Sequence, residues 1–249
     1  MTDPVEPSSK GAADPSPEPP PDRPDLDRAL GYPYERPPWS FRYWPVHHHV
    51  EPVGAVRRDE LVERTAVLAI GSNAAPDQLR RKFGCHPSGA APIVVVEARV
   101  RDHDVVHAAM VASYGSVPAT LVERPGTTCH VHVTLLDPPQ LEHMHETEGL
   151  GSAYRLDHVA PELVEVPLLG PLDSVEAYVA TRGPMLVDGS PVALAAIAAE
   201  GRTLPAMHQR DVLARLATTY DLSVEELVRV LTSDPGVRRE AGEILAGRS

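Results

Sequence analysis

Cysteine is scarce in this chain of 249 residues: there are two, Cys85 and Cys129. Two thiols make no disulfide framework and suit a reducing compartment, so a cytoplasmic location is expected. Long apolar runs are missing too. No stretch reaches the length of about eighteen apolar residues that a membrane-spanning helix needs, so no membrane partner is expected. The first residues, with Thr2, Asp3, Pro4 and Glu6, show no basic segment leading into an apolar one, and no secretory signal is expected. Positive charge is outweighed, 23 Lys and Arg against 35 Asp and Glu, for a formal charge of −12. That balance excludes a nucleic-acid binder working through phosphate neutralisation. Internal repeats are absent. Ser72 lacks the Gly-x-Ser-x-Gly elbow of a serine nucleophile, and the 12 histidines fit none of the sharper zinc spacings. His130 and His132 share a strand face, but His143 and His145, two apart on a helix, diverge by about 200°. His47, His48 and His49 read as packing in a surface segment. No metal and no cofactor is expected. Neither cysteine has neighbours that lower a thiol's pKa, and Cys129, in a Thr- and Val-rich stretch, is expected to be buried and inert.

What is present is a hydrophobic fraction of 42%, enough for a core, and an uneven distribution of the few aromatics. Residues 1–30 are rich in Pro, Asp, Glu and Ser and bury too little to offset ordering entropy, so a disordered tail is expected. Residues 31–52 hold Tyr32, Tyr34, Trp39, Phe41, Tyr43 and Trp44 among Pro33, Pro37, Pro38 and Pro45. That composition predicts an extended arm packed on the body of the protein, with a second copy of the chain as the alternative partner. A short helix is expected at Arg57–Glu63. Residues 60–185 then read as one domain. Strands are expected at Ala66–Ile70, Ile93–Ala98, Val105–Ala112, Ala119–Glu123, Thr128–Leu136, Tyr154–Val159, Leu163–Val166 and Ser174–Val179. Helices are expected at Pro76–Phe83, with Pro at its first position and Asp77 in its first turn, and at Pro138–Glu146. Residues 186–249 read as a helical C-terminal extension packed on that domain. Its helices are Val192–Glu200 capped by Gly201, Pro205–Thr219, Val224–Thr232 with Ser223 as N-cap, and Asp234–Ala246. The class is α+β, a small, mostly antiparallel barrel with flanking helices.

Two segments carry chemistry. Gly71-Ser72-Asn73 follows the apolar strand and precedes Pro76-Asp77-Gln78-Leu79. A strand entering a small-residue turn and then a helix makes a nest of N–H donors suited to a carboxylate. Glu148-Gly149 lies in His145-Glu146-Thr147-Glu148-Gly149-Leu150-Gly151-Ser152-Ala153-Tyr154, and a solitary Glu reaching the same place would be a proton shuttle. Glu146 points from another helix face toward solvent, and a register error would exchange the two. His145, three residues before Glu148, shares its face.

With Val117-Pro118-Ala119-Thr120-Leu121-Val122-Glu123-Arg124-Pro125-Gly126-Thr127 between them, these segments resemble the gamma-glutamylcyclotransferase-like family over roughly residues 65–180. The family's order is an aromatic residue plus Gly-Ser-Asn, a stretch like "ATL…PG", then "EG…Y". The resemblance implies a substrate pocket with Ile70, Gly71, Ser72, Asn73 and Tyr154 as substrate-binding residues and Glu148 as the catalytic acid–base. Ile70 departs from the pattern, which places an aromatic ring there; the departure bears on substrate identity more than on fold.

The implied activity belongs to the transferase and lyase classes: cyclisation of a small-molecule γ-glutamyl amine or peptide to 5-oxoproline. The substrate carries its own nucleophile, so the protein need only hold its carboxylate, orient its amine and move protons. Two alternatives share the fold: another amide-cleaving reaction, and a non-catalytic ligand- or partner-binding module.

Overall fold

The computed structural model describes residues 23–57 and 60–248. Residues 1–22 of the expected tail, and part of the helix expected at Arg57–Glu63, lie outside the described residues. The rest of that tail is not structureless: Arg23–Leu30 forms helix α1. The reason is one apolar face, on which Ala29 is fully buried and Leu26 and Leu30 pack against the C-terminal helices. The arm contributes strands β1 (Phe41–Trp44) and β2 (His49–Pro52), an antiparallel hairpin. Strand β3 (Thr65–Ala69) runs through the Gly71–Asn73 turn into α2 (Pro76–Phe83).

Two long strands follow, β4 (Ile93–His107) and β5 (Ala119–Leu136). Sequence pattern divides each in two, because their pairing shifts register between Arg101 and His103. Asp102 has φ 57° and Gly126 φ 81° there, and the Gly126 N–H donates to Asp102 Oδ1 at 2.8 Å. A bulge of this kind tolerates Pro125, which has no N–H to give a ladder. Next come α3 (Pro138–Glu148), β6 (Tyr154–His158), β7 (Val164–Glu165) and β8 (Glu176–Ala180). Strands β9 (Leu186–Val187) and β10 (Ser190–Pro191) form a small separate hairpin.

The Ala- and Leu-rich stretch expected as a helix at Val192–Glu200 instead gives β11 (Ala193–Leu194) and β12 (Ala199–Glu200). Sheet contacts override its helix propensity. Ala193 pairs with Val106, Ala199 pairs with Cys129, and Arg202 just beyond is held on the buried Asp104 by bonds of 2.7 and 2.9 Å. Strand β13 (Ala206–Met207) precedes α4 (Gln209–Thr219), α5 (Val224–Ser233) and α6 (Pro235–Leu245). The Ser223 N-cap expected from sequence is present as a capping box with Glu226.

The protein is therefore mixed α+β, with one large sheet in the order β13-β11-β4-β5-β3-β8-β6. Pairing is antiparallel except at β3–β8 and β11–β13. Among the described residues this path does not return on itself, so the sheet stays open where a barrel was expected. Both faces are covered. Leu68, Val94, Val96, Val131 and Val133 pack on one side, while Val67, Ala69, Ile93, Val95 and Phe83 pack on the other. Double coverage explains why β3 reads as an unbroken apolar run. The C-terminal helices close a third cluster over Ala109, Val117 and Met185. No helix among the described residues is long and apolar enough to cross a membrane.

Candidate functional site

Helix α3 starts at a capping box in which Asp137 accepts from the Gln140 N–H at 2.9 Å. It ends two residues later than the apolar spacing suggests, at Glu148, because Gly149 adopts the left-handed conformation (φ 62°) that stops a helix. Glu148 is thus the last helical residue, and its side chain reaches a cavity of about 380 Å³. Ile70, Gly71, Ser72, Asn73 and Tyr154 line the same cavity. Ala119 of the Ala-Thr-Leu segment lines it too.

The carboxylate is held on one side only. Asn73 Nδ2 donates to Glu148 Oε1 at 3.0 Å, and the Lys82 ammonium forms an ion pair with that same oxygen. Oε2 has no protein hydrogen-bond partner among the described residues. The pair is well removed from solvent, with side-chain exposures of 6% for Lys82 and 15% for Glu148. Lys82 reaches the carboxylate because α2 and α3 are locked side by side. His143 Nε2 donates to the Lys82 carbonyl at 2.9 Å, and its ring stacks on His86 with centroids 3.6 Å apart.

Four tyrosines enclose the cavity: Tyr32, Tyr114, Tyr154 and Tyr178. Burial raises the pKa of each, and the Glu148 charge adds to it, so all four are neutral phenols near neutral pH. Tyr32 comes from the arm. Its hydroxyl accepts the Ala119 N–H at 2.8 Å and sits where Gly71 has no side chain; a Cβ there would be 2.2 Å away. Gly71 is required by this close approach. Tyr154 donates to the Ala119 carbonyl at 3.3 Å, so both polar groups of Ala119 meet tyrosine hydroxyls.

The other sequence candidates fall elsewhere. Glu146 borders the cavity but leaves 68% of its side chain in solvent, 3.4 Å from His143 Nδ1. His145 does not line the cavity; its Nδ1 bonds the Tyr178 hydroxyl at 2.7 Å and so fixes a wall residue. Among the described residues no three His, Cys, Asp or Glu side chains converge as a metal site. Burial pushes the Cys129 thiol up to about 12, and Cys85 is exposed. Lys82, Tyr114 and Tyr178 escaped the sequence reading, which placed Tyr32 in the packed arm but not in the site. For Lys82 a signal existed: it is one of two lysines in a chain whose other basic residues are arginines.

No family model and no curated protein matches the chain. Among solved structures, it superposes on a human protein described as uncharacterized with TM-score 0.37 and 20% identity, over 48% of this chain and 68% of that one. For a gamma-glutamyl cyclotransferase the TM-score is 0.38 at 18% identity, over 48% and 68%. For an Arabidopsis thaliana protein the TM-score is 0.36 at 16% identity, over 48% and 70%. The family that the sequence resembles is thus represented among the similar solved structures, and at these TM-scores the likeness carries no further argument.

Proposed function

We propose that the chain is a γ-glutamyl cyclotransferase-type enzyme that converts a γ-glutamyl amine or peptide to 5-oxoproline. One observation carries the reading. Glu148 enters the cavity opposite the Gly71–Asn73 turn with Oε1 tied to Asn73 and Lys82 and Oε2 without a protein partner. A carboxylate already paired with an ammonium enters the reaction as a base.

In this reading the substrate's α-ammonium lies against Glu148 Oε2 and loses a proton to it. The freed amine attacks the γ-carbonyl carbon, the carbon–nitrogen bond to the leaving amine breaks, and Glu148 returns its proton to the leaving nitrogen. Of the ammonium's three protons, one stays on the lactam nitrogen; Glu148 relays the other two in turn to the leaving nitrogen, which departs as an ammonium and leaves the carboxylate as it began. The N–H groups that open the Ser72–Ala74 turn have no intrahelical partner and suit the α-carboxylate. The neutral phenols around the cavity suit the oxyanion that develops at the carbonyl. The ion pair itself favours a second reading, a non-catalytic site for a zwitterionic amino acid.

The test incubates purified protein with a panel of γ-glutamyl amines, amino acids and peptides and measures 5-oxoproline. Its release by wild type and not by Glu148→Gln supports the enzyme. Binding of L-glutamate or 5-oxoproline without turnover of any panel member leaves the binding module.

A further inference from the structure

A second cavity, of about 300 Å³, lies on the sheet where the arm crosses it, between Arg36–Pro38 on one side and Glu97, Arg99 and His132 on the other. The register of β4 and β5 gathers those groups: Glu97 pairs with His132, and Arg99 pairs with His130. His130 is already engaged, with Nε2 2.9 Å from Glu200 Oε1.

Among the described residues two sheltered guanidiniums have a buried nitrogen without a hydrogen-bond partner: Arg28, which lies over the Tyr114 ring, and Arg36, which has no such ring beneath it. Arg42 is bidentate on Glu60, with Nε on Oε2 and Nη2 on Oε1 at 2.9 Å each, and Arg202 holds Asp104 at 2.7 Å. Arg64 donates to the Leu135 carbonyl at 2.9 Å, and Arg238 to the Leu231 carbonyl at 2.6 Å. Arg36 Nη1 is buried with no hydrogen-bond partner, and no carboxylate among the described residues forms an ion pair with it. Behind it, His132 is 5% exposed, and its ring faces the Pro37 backbone without a well-formed hydrogen bond at either nitrogen. Sheltering a cation without a counter-charge costs free energy that an anion would recover.

We propose that this cavity binds a small carboxylate monoanion, with the half-buried Arg36 as its anchor and Arg99 at its rim. The charges choose the ligand. Burial and the Arg36 charge push His132 down to about 4, so its ring is neutral at neutral pH. Arg36 and Arg99 stand against Glu97 in the lining, with Glu200 on His130 and Glu165 opposite Arg99 just outside it, a balance that admits at most a monoanion and opposes a phosphate dianion. A cavity of about 300 Å³ admits a small molecule rather than a peptide. The site is separate from the Glu148 cavity, and the inference stands whether or not that cavity is catalytic.

The experiment is calorimetric titration of the full chain with sodium acetate and sodium L-lactate at constant ionic strength, with inorganic phosphate as the competing chemistry. Wild type should show a saturable carboxylate site. Arg36→Met should bind at least about tenfold more weakly, the loss of one charge-assisted contact. Its melting temperature without ligand should not fall, because an unmatched charge is removed. Unchanged affinity in Arg36→Met, tighter binding of phosphate than of carboxylates, or no saturable carboxylate binding by wild type would each overturn the site. If Arg36→Met folds poorly, Arg36 has a structural role in the protein and the proposal fails unless Arg99→Gln, at the exposed rim, weakens acetate binding by about threefold or more.

Discussion

Asn73 Nδ2 donates to Glu148 Oε1 at 3.0 Å, one hydrogen bond joining the turn after β3 to the last residue of α3 across 75 positions of sequence. Lys82 meets the same oxygen, so the side chain proposed as the shuttle is also half of a sheltered ion pair. That double role fixes what substitution should do. Glu148→Gln should lower turnover by roughly 10²–10⁴-fold, the usual contribution of positioned acid–base catalysis. It should also lower the melting temperature, because breaking a buried pair and leaving one charge unmatched costs about 3–5 kcal/mol. Adding Lys82→Met to Glu148→Gln should restore the melting temperature and leave turnover lost. Thermal unfolding and 5-oxoproline release on the three variants check this. Recovery of activity in the double variant would remove Glu148 from the chemistry.

Gly71 and Tyr32 are coupled by space rather than by charge. A Cβ on residue 71 would lie 2.2 Å from the Tyr32 hydroxyl and 3.2 Å from the ring carbon that bears it. Gly71→Ala should therefore destabilise strongly in the native background. In a Tyr32→Phe background the worst contact is gone and part of the loss should return. Tyr32→Phe alone should cost about 1–3 kcal/mol, since it leaves the buried Ala119 N–H without an acceptor. A double-mutant cycle read by denaturant unfolding measures the coupling; additive losses would show that Tyr32 is not seated against Gly71.

Local signals made part of this molecule legible in sequence. Pro76 and Asp77 mark the start of α2 and Ser223 caps α5; each is a short-range device whose physics is contained in a few residues. Ile70, Gly71, Ser72, Asn73, Glu148 and Tyr154 line one cavity; it was the family resemblance, not local pattern, that named them together. What stayed hidden depends on partners far along the chain. Residues 193–200 look helical until Val106, Cys129 and Asp104 draw them onto the sheet. The long β4–β5 pair is masked by its own bulge at Asp102 and Gly126. Helix α1 follows a Pro- and Asp-rich stretch, and only its contact with the C-terminal cluster accounts for its order.

The two thiols should differ sharply in reactivity. Cys85 is exposed, whereas burial raises the Cys129 thiol to about 12 and keeps it protonated. Iodoacetamide at neutral pH should add one group to the native protein, at Cys85, and two after unfolding in guanidinium. Intact mass and peptide mapping read the outcome. Labelling of Cys129 in the folded state would mean that β5 opens at Thr128–Cys129, where β12 pairs with it.

Acid should destabilise the fold through His132. Burial and Arg36 hold its pKa at about 4, against about 6.5 for an unperturbed histidine. The unfolded chain therefore binds the proton first, and stability rises with pH across the interval between the two values. The contribution is fully present above pH 6.5 and is lost as pH falls toward 4. At 1.36 kcal/mol per unit it amounts to on the order of 2 kcal/mol by pH 5. His107, buried and also lowered, acts with the same sign. Unfolding free energies of wild type and His132→Phe, measured by urea titration at pH 7 and pH 5, isolate the His132 share. The wild type should lose more stability over that interval than the variant by about the amount given. Equal losses would mean that the ring takes up its proton without leaving the sheet, and that the space under Arg36 is open to water.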